Sequence, residues 1–302
     1  MNRYLMIYAV TAVAVGLAGC ATYTYKNIDY QDNDPDHTVT ETTALGISNS
    51  GIIVGFYKTR QDPFGRHAFR RDERGNFTTI DFPDSNDTRA YKITPGGGGQ
   101  IVGITTSHGF IRDGFMTDQI DVPPKTGPTE ATGINSFGQV VGVYYDRNIV
   151  HAFIDEANSF RILDIPNMQE THVTAINDKL QIAGYVFDGG SSRNRAFSGD
   201  LQGHFVLFDV NGARDADAWG INSHGDIVGS AAHGAQDSYM RNAGGAISAV
   251  RVPGGSNTLA YGINDMGTVV GSYIDNNGIQ HGFVAMRRCQ RADCAVERGP
   301  PK

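Results

Sequence analysis

Tryptophan occurs once in the 302 residues, at Trp219, and cysteine three times, at Cys20, Cys289 and Cys294. Charged residues make up only 19%, below the usual quarter. The formal charge of −7 argues against nucleic acid as a partner, because phosphate binding needs a basic surface. No Gly-x-Ser-x-Gly elbow, phosphate loop or His-Glu-x-x-His stretch occurs, so the motif-borne hydrolases and nucleotide enzymes have no foothold. No segment carries a long apolar period of 3.6, so almost no helix is expected beyond the first twenty residues. Disorder is excluded by 40% apolar residues, and collagen by the lack of a three-residue glycine period.

What is present in excess is glycine, 38 residues, and it recurs in order. Six segments align. The isoleucine of a Gly-Ile-Asn element stands at Ile47, Ile93, Ile134, Ile176, Ile221 and Ile263, with gaps of 46, 41, 42, 45 and 42 residues. The glycine closing a Val-Val-Gly element recurs at Gly55, Gly103, Gly142, Gly184, Gly229 and Gly271. The aromatic of His-Ala-Phe recurs at Phe69, Phe110, Phe153, Phe197, Tyr239 and Phe283. Each unit offers four short strands rich in β-branched and aromatic residues, separated by Asn-x-x-Gly and similar turns. Four strands in about 43 residues is the size of a propeller blade. The sixth unit lacks a fourth strand, and residues 25–30, YKNIDY, align with Phe77–Phe82, placing Asp29 on Asp81. The expected fold is therefore all-β: a six-bladed β-propeller in which an N-terminal strand completes the last blade. Another β-repeat array, or two lobes of three units, are the alternatives.

Two resemblances add to this reading. Gly133–Gly142 with His151-Ala152-Phe153, and Gly262–Gly271 with His281-Gly282-Phe283, resemble the HAF repeat of exported bacterial proteins, over roughly 42–285. The resemblance implies a repeat architecture and export, and no particular activity. Leu180 replaces the turn glycine in unit four, Ser238-Tyr239-Met240 replaces His-Ala-Phe in unit five, and Thr94-Pro95 with its glycines distorts unit two. At the N-terminus, Arg3, an apolar run from Leu5 to Leu17 and Leu17-Ala18-Gly19-Cys20 resemble a bacterial lipoprotein signal. That resemblance implies cleavage after residue 19, lipid on Cys20 and attachment to a membrane. Ala21 in place of Asp favours the outer one. The expected layout is signal peptide 1–19, tether 20–24, propeller 25–288 and tail 289–302.

Candidate sites are few. Cys289 and Cys294 are a disulfide candidate in an exported compartment, with a metal site the weaker reading. His67, His108, His151 and His281 share one position in four units, and a structural bond to a neighbouring strand is favoured over a metal ring. Asp29, Asp81, Asp121, Asp164 and Asp209 on fourth strands are expected to blunt an exposed sheet edge. Asp32, Asp34 and Asp36 begin like a calcium loop, but His37 stands where glycine belongs and Thr43 where glutamate belongs. Trp219 is expected in the core rather than on a sugar. Binding is expected on variable loops, through Arg60, Arg66, Arg89, Arg147, Arg193 and Arg214. No cofactor or metal is implied. The functional expectation is a non-catalytic, lipid-anchored propeller that binds an envelope protein or glycan. An envelope hydrolase or lyase acting on a glycan or lactone is the alternative.

Overall fold

Tight turns reverse the chain every few residues, and one design recurs in several of them. In the third unit, Asn135 Oδ1 accepts the N–H groups of Phe137 and Gln139, both at 3.1 Å, and Gly138 takes φ of 77°. Glycine alone reaches that conformation without a Cβ clash. The computed structural model describes residues 22–31, 38–83, 85–96, 99–114, 116–123, 127–157, 159–210, 212–232 and 236–288.

All regular elements among the described residues are strands, and antiparallel pairing groups them in fours. An N-terminal strand, β1 (Thr22–Asn27), precedes the six units in sequence. The first unit holds β2 (Val39–Ile47), β3 (Ile53–Thr59), β4 (His67–Arg71) and β5 (Phe77–Thr79). The second holds β6 (Arg89–Ile93), β7 (Ile101–Ile104), β8 (Gly109–Asp113) and β9 (Met116–Ile120). The third holds β10 (Thr129–Ile134), β11 (Val140–Asp146), β12 (Ile149–Asp155) and β13 (Phe160–Ile162). The fourth holds β14 (Glu170–Ile176), β15 (Gln181–Asp188), β16 (Arg193–Asp200) and β17 (Phe205–Phe208). The fifth holds β18 (Ala216–Ile221), β19 (Ile227–Ala232), β20 (Gln236–Arg241) and β21 (Ile247–Val250). The last holds β22 (Ser256–Ile263), β23 (Val269–Ile274) and β24 (Gln280–Arg288), and β1 supplies its fourth strand. A single parallel bridge, Glu41 to Gln280, ties the first unit to the last.

The closing strand falls in the expected register. Asn27 pairs with Phe283 as Thr79 pairs with Phe69, so Asp29 is the counterpart of Asp81. β1 begins at Thr22, so residues 22–24 belong to the blade and not to a tether.

The repeated residues have repeated jobs. Phe69, Phe110, Phe153, Phe197 and Phe283 are almost completely buried. Each ring of this kind is worth roughly 2–3 kcal/mol of burial. Tyr239 holds the same place in the fifth unit, and its hydroxyl donates to Asp217 O at 3.1 Å. The Val-Val-Gly glycine lets the inner strand approach: a Cβ on Gly142 would lie 2.0 Å from Glu130 O.

The Gly-Ile-Asn asparagine ties unit to unit. Asn135 Nδ2 donates to Asn177 O at 3.5 Å, Asn177 to Asn222 O at 2.8 Å, Asn222 to Asn264 O at 3.2 Å, and Asn264 to Ser48 O at 3.1 Å. The second unit has Thr94 at this position, and its buried hydroxyl finds no hydrogen-bond partner.

Candidate functional site: the axial pocket

The first strand of every unit carries a β-bulge at the same place. A bulge adds one residue without a ladder partner and re-aims its side chain. The six extra residues are Leu45, Tyr91, Thr132, Thr174, Trp219 and Tyr261, and all six line one central cavity of about 530 Å³. First strands are thus innermost, and the bulges furnish the pocket wall. Past the bulges the channel narrows to a cavity of about 40 Å³, lined by Gly133, Ala175, Gly220, Gly262 and the isoleucines of the Gly-Ile-Asn elements.

One side of the wide pocket is aromatic. His172 stacks on Tyr185 with centroids 4.4 Å apart and planes 10° from parallel. Tyr185 meets Trp219 edge-on at 5.5 Å, and Trp219 meets Tyr261 edge-on at 5.9 Å. Trp219 Nε1 donates to Ser230 Oγ at 2.9 Å. The tryptophan is half-buried in the pocket wall, a correction to its expected place in the core. Its bulge position turns it out of the blade and toward the axis.

The other side is charged. Lys58 pairs with Glu41 at 2.9 Å. Asp87 accepts from Arg66 at 2.8 Å and from Arg89 at 2.9 and 3.0 Å. Burial pulls the Asp87 carboxyl upward, but Arg89 and Arg66 outweigh it and hold it below the usual range. Arg89 also donates to Tyr91 Oη at 3.2 Å, and Tyr91 donates to Glu130 Oε2 at 3.3 Å. Tyr145 donates to Glu130 Oε1 at 3.4 Å, and burial, seconded by that carboxylate, pushes its phenol up to about 12. His172 sits 3.2 Å from Glu170, yet burial holds its imidazole below the ordinary value. Behind Trp219, burial raises Asp217 to about 6. Two hydroxyls are committed to the scaffold: Thr132 bonds Val173 O at 2.6 Å and Thr174 bonds Ala218 O at 2.8 Å.

Lys92 stands at the waist between the two cavities and lines both. In register it takes the place of Gly46, Gly133, Gly220 and Gly262 in other units. Its Nζ donates to Leu45 O at 2.9 Å and to Tyr261 O at 2.7 Å. Both acceptors are carbonyls of bulge residues. Burial lowers its amine to about 7. What surface it keeps faces the channel. The sequence signal was a long cationic residue in the Gly-Ile series, where the other units have glycine or, at Ala175, alanine.

The arginine candidates divide. Arg66 and Arg89 line the pocket. Arg60 and Arg147 are exposed, Arg193 and Arg195 share Asp209, and Arg214 is exposed beside Asp215 at 3.9 Å. Cys20, Cys289, Cys294 and the Asp32–Asp36 stretch lie outside the described residues.

The third-strand histidines each donate to a fourth-strand aspartate of their own unit. The Nδ1 to carboxylate distances are 2.7 Å for His67–Asp81, 2.9 Å for His108–Asp121, 2.6 Å for His151–Asp164 and 2.9 Å for His281–Asp29. This corrects the view of those aspartates as edge charges: they clasp strand three to strand four. The two remaining units keep the clasp with other residues. Arg195 pairs with Asp209 at 3.2 Å, and in the fifth unit the charges exchange strands as Asp237 and Arg251. Among the described residues no group of three or more His, Cys, Asp or Glu is placed to hold a metal ion.

No family model matches the chain, and no curated protein does. Solved structures do. The fold is similar to a protein assigned to TolB from Agrobacterium tumefaciens, with a TM-score of 0.56 at 9% identity, covering 84% of this chain and 91% of that one. It is similar to virginiamycin B lyase from Staphylococcus aureus, solved as a catalytically inactive variant with quinupristin. There the TM-score is 0.51 at 10% identity, over 87% of this chain and 99% of that one. The chain is a β-propeller. YCF48 from Cyanidioschyzon merolae also matches, with a TM-score of 0.47 at 11% identity over 89% and 99% of the two chains. At these identities the likeness reaches the propeller fold and stops short of its activity.

Proposed function

We propose that this propeller is a lipid-anchored protein of the bacterial envelope, of the HAF-repeat kind, that binds a glycan-like ligand in its axial pocket without transforming it. One observation carries the reading: the bulge residues of six units converge on a single pocket with aromatic rings on one side and ion pairs on the other. A sugar offers an apolar ring face to an aromatic wall and hydroxyls to charged partners, and it fills a cavity of this size. The anchor rests on the lipobox-like residues ending at Cys20.

The single tryptophan makes the test direct. Full-length protein in mild detergent is titrated with envelope oligosaccharides while Trp219 emission is followed. A saturable shift that weakens at least tenfold in Tyr185→Ala supports the reading. Binding that leaves Trp219 emission and the Tyr185→Ala affinity unchanged moves the ligand to the loops.

A hydrolase or lyase is the second reading, favoured by Glu130 and His172 sharing the pocket with tyrosine hydroxyls. Chromatography of the same mixtures separates the two: release of product that stops in Glu130→Gln overturns the non-catalytic reading.

A further inference from the structure

Lys92 is one of six lysines in the chain. Lys26 and Lys179 are exposed, and Lys58 is held by Glu41. Lys92 differs from these in every respect. It stands between the two axial cavities where four other units have glycine, and its side chain crosses from the second unit to the first and last. Among the described residues no carboxylate lies within ion-pair distance of its Nζ, although Glu41 and Glu130 share the pocket with Lys58, Arg66, Arg89 and His172.

The count of hydrogen bonds defines its chemistry. A neutral amine has two N–H donors and one lone pair. Two carbonyls at 2.9 and 2.7 Å match the two donors, which leaves the lone pair for the channel. An ammonium brings a third N–H and a full positive charge, and among the described residues Nζ has two carbonyl acceptors and no carboxylate to meet them. The geometry points to Lys92 as a reactive amine at the floor of the axial pocket, placed to form an imine with a carbonyl-bearing ligand such as an aldehyde or an open-chain reducing sugar. The lowered amine agrees, since a desolvated lysine without a carboxylate is the form enzymes use for carbonyl chemistry.

The step balances without a further reagent. The Nζ lone pair bonds to the carbonyl carbon, the carbonyl π bond opens, and the carbonyl oxygen leaves as one water with the two amine protons. The two backbone carbonyls orient the amine before attack, and the aromatic wall of Tyr185, Trp219 and Tyr261 stands over the same pocket. The inference deepens the pocket reading by naming a ligand group. It stands or falls separately, because it is tested with a small aldehyde and needs no glycan.

The experiment uses full-length protein at pH 7 with glycolaldehyde, and cyanoborohydride to trap any imine as a secondary amine. Peptide mass mapping follows all six lysines over time. An ordinary lysine is unprotonated in roughly one molecule in a few thousand at this pH. Lys92 is expected to gain its adduct at least about tenfold faster than Lys26 or Lys179, with the advantage lost in denaturant. Lys92→Met abolishes the fast adduct and leaves the slow ones. Labelling of Lys92 no faster than Lys26 and Lys179 overturns the inference, and so does labelling only after unfolding. Should Lys92 label fast while no oligosaccharide moves Trp219 emission, the amine assignment holds and the glycan reading fails.

Discussion

The two ends of the axial channel are built from the same six strands and have opposite characters. At the narrow end, Ile47, Ile93, Ile134, Ile176, Ile221 and Ile263 form a near-uniform apolar ring, and asparagine amides bond from unit to unit around it. At the wide end the equivalent residues are leucine, tyrosine, threonine, threonine, tryptophan and tyrosine. Sameness at one end serves closure, because six units must meet at one radius. Difference at the other end serves recognition, because an asymmetric ligand needs an asymmetric wall. A bulge divides the two, and one extra residue per strand frees the wide end from the register that binds the narrow one.

Substitutions test how cleanly that division holds. The largest effect is expected where the bulge itself is blocked. Gly142→Ala drives a methyl to 2.0 Å from Glu130 O, and a loss of about 3 kcal/mol or more should appear in chemical denaturation. A loss under about 1 kcal/mol would mean that the bulge flexes. Next comes the closing ring. Asn177→Ala removes an inter-unit bond and two turn acceptances, from Lys179 and Gln181, and should cost about 2 kcal/mol while leaving ligand affinity within twofold. A large affinity loss would show that the two ends are coupled.

Lys92 lies on the boundary, and pH separates its two states. Its folded value near 7 lies below the 10.5 of an ordinary lysine, so from pH 7 to 10.5 the unfolded chain holds a proton that the folded chain lacks. Stability contributed by this group is complete above 10.5 and is lost as pH falls toward 7, at no more than about 1.4 kcal/mol per pH unit. Comparison of thermal midpoints across that window should show a flatter profile in Lys92→Met than in the wild type. Equal slopes would mean that Lys92 stays charged when folded. The smallest effect belongs to a turn at the narrow end. Leu180 holds φ of 60° where Gly138, Gly225 and Gly267 stand in other units. Leu180→Gly should stabilise by roughly 0.5–1 kcal/mol, and a destabilised variant would show that the packing of Leu180 on its neighbours outweighs its strain.

The narrow end and the blade bodies were legible in the sequence because they repeat. Six isoleucines, six glycines and six aromatics at matching spacing announce a position that all units need. The strand contributed by the N-terminus was legible for the same reason, through Asp29. The partners of the repeated histidines were not, since each aspartate lies 13 or 14 residues later, or across the chain in the last unit. Where Arg195 and Asp237 replace histidine the clasp survives in charge but not in letter. The pocket was the hardest part to read. Its residues are the ones that differ between units, so alignment discards them: Trp219 reads as core, and Lys92 draws no reading beside the Thr94-Pro95 that distorts unit two. Of the arginine candidates, only Arg66 and Arg89 reach the pocket, because loop position alone does not say which way a side chain turns.

The last unit has a mechanical consequence. Thr22 pairs with Arg288 and Asn27 with Phe283, so the chain enters and leaves this sheet at the same end. A load applied between the two termini would peel the pairs apart one after another, beginning with Thr22 and Arg288, instead of shearing them together. Parallel loading shares force among bonds; sequential loading concentrates it on one. The clasp that completes the ring is therefore its weakest point under tension, and an attachment at one terminus alone spares it.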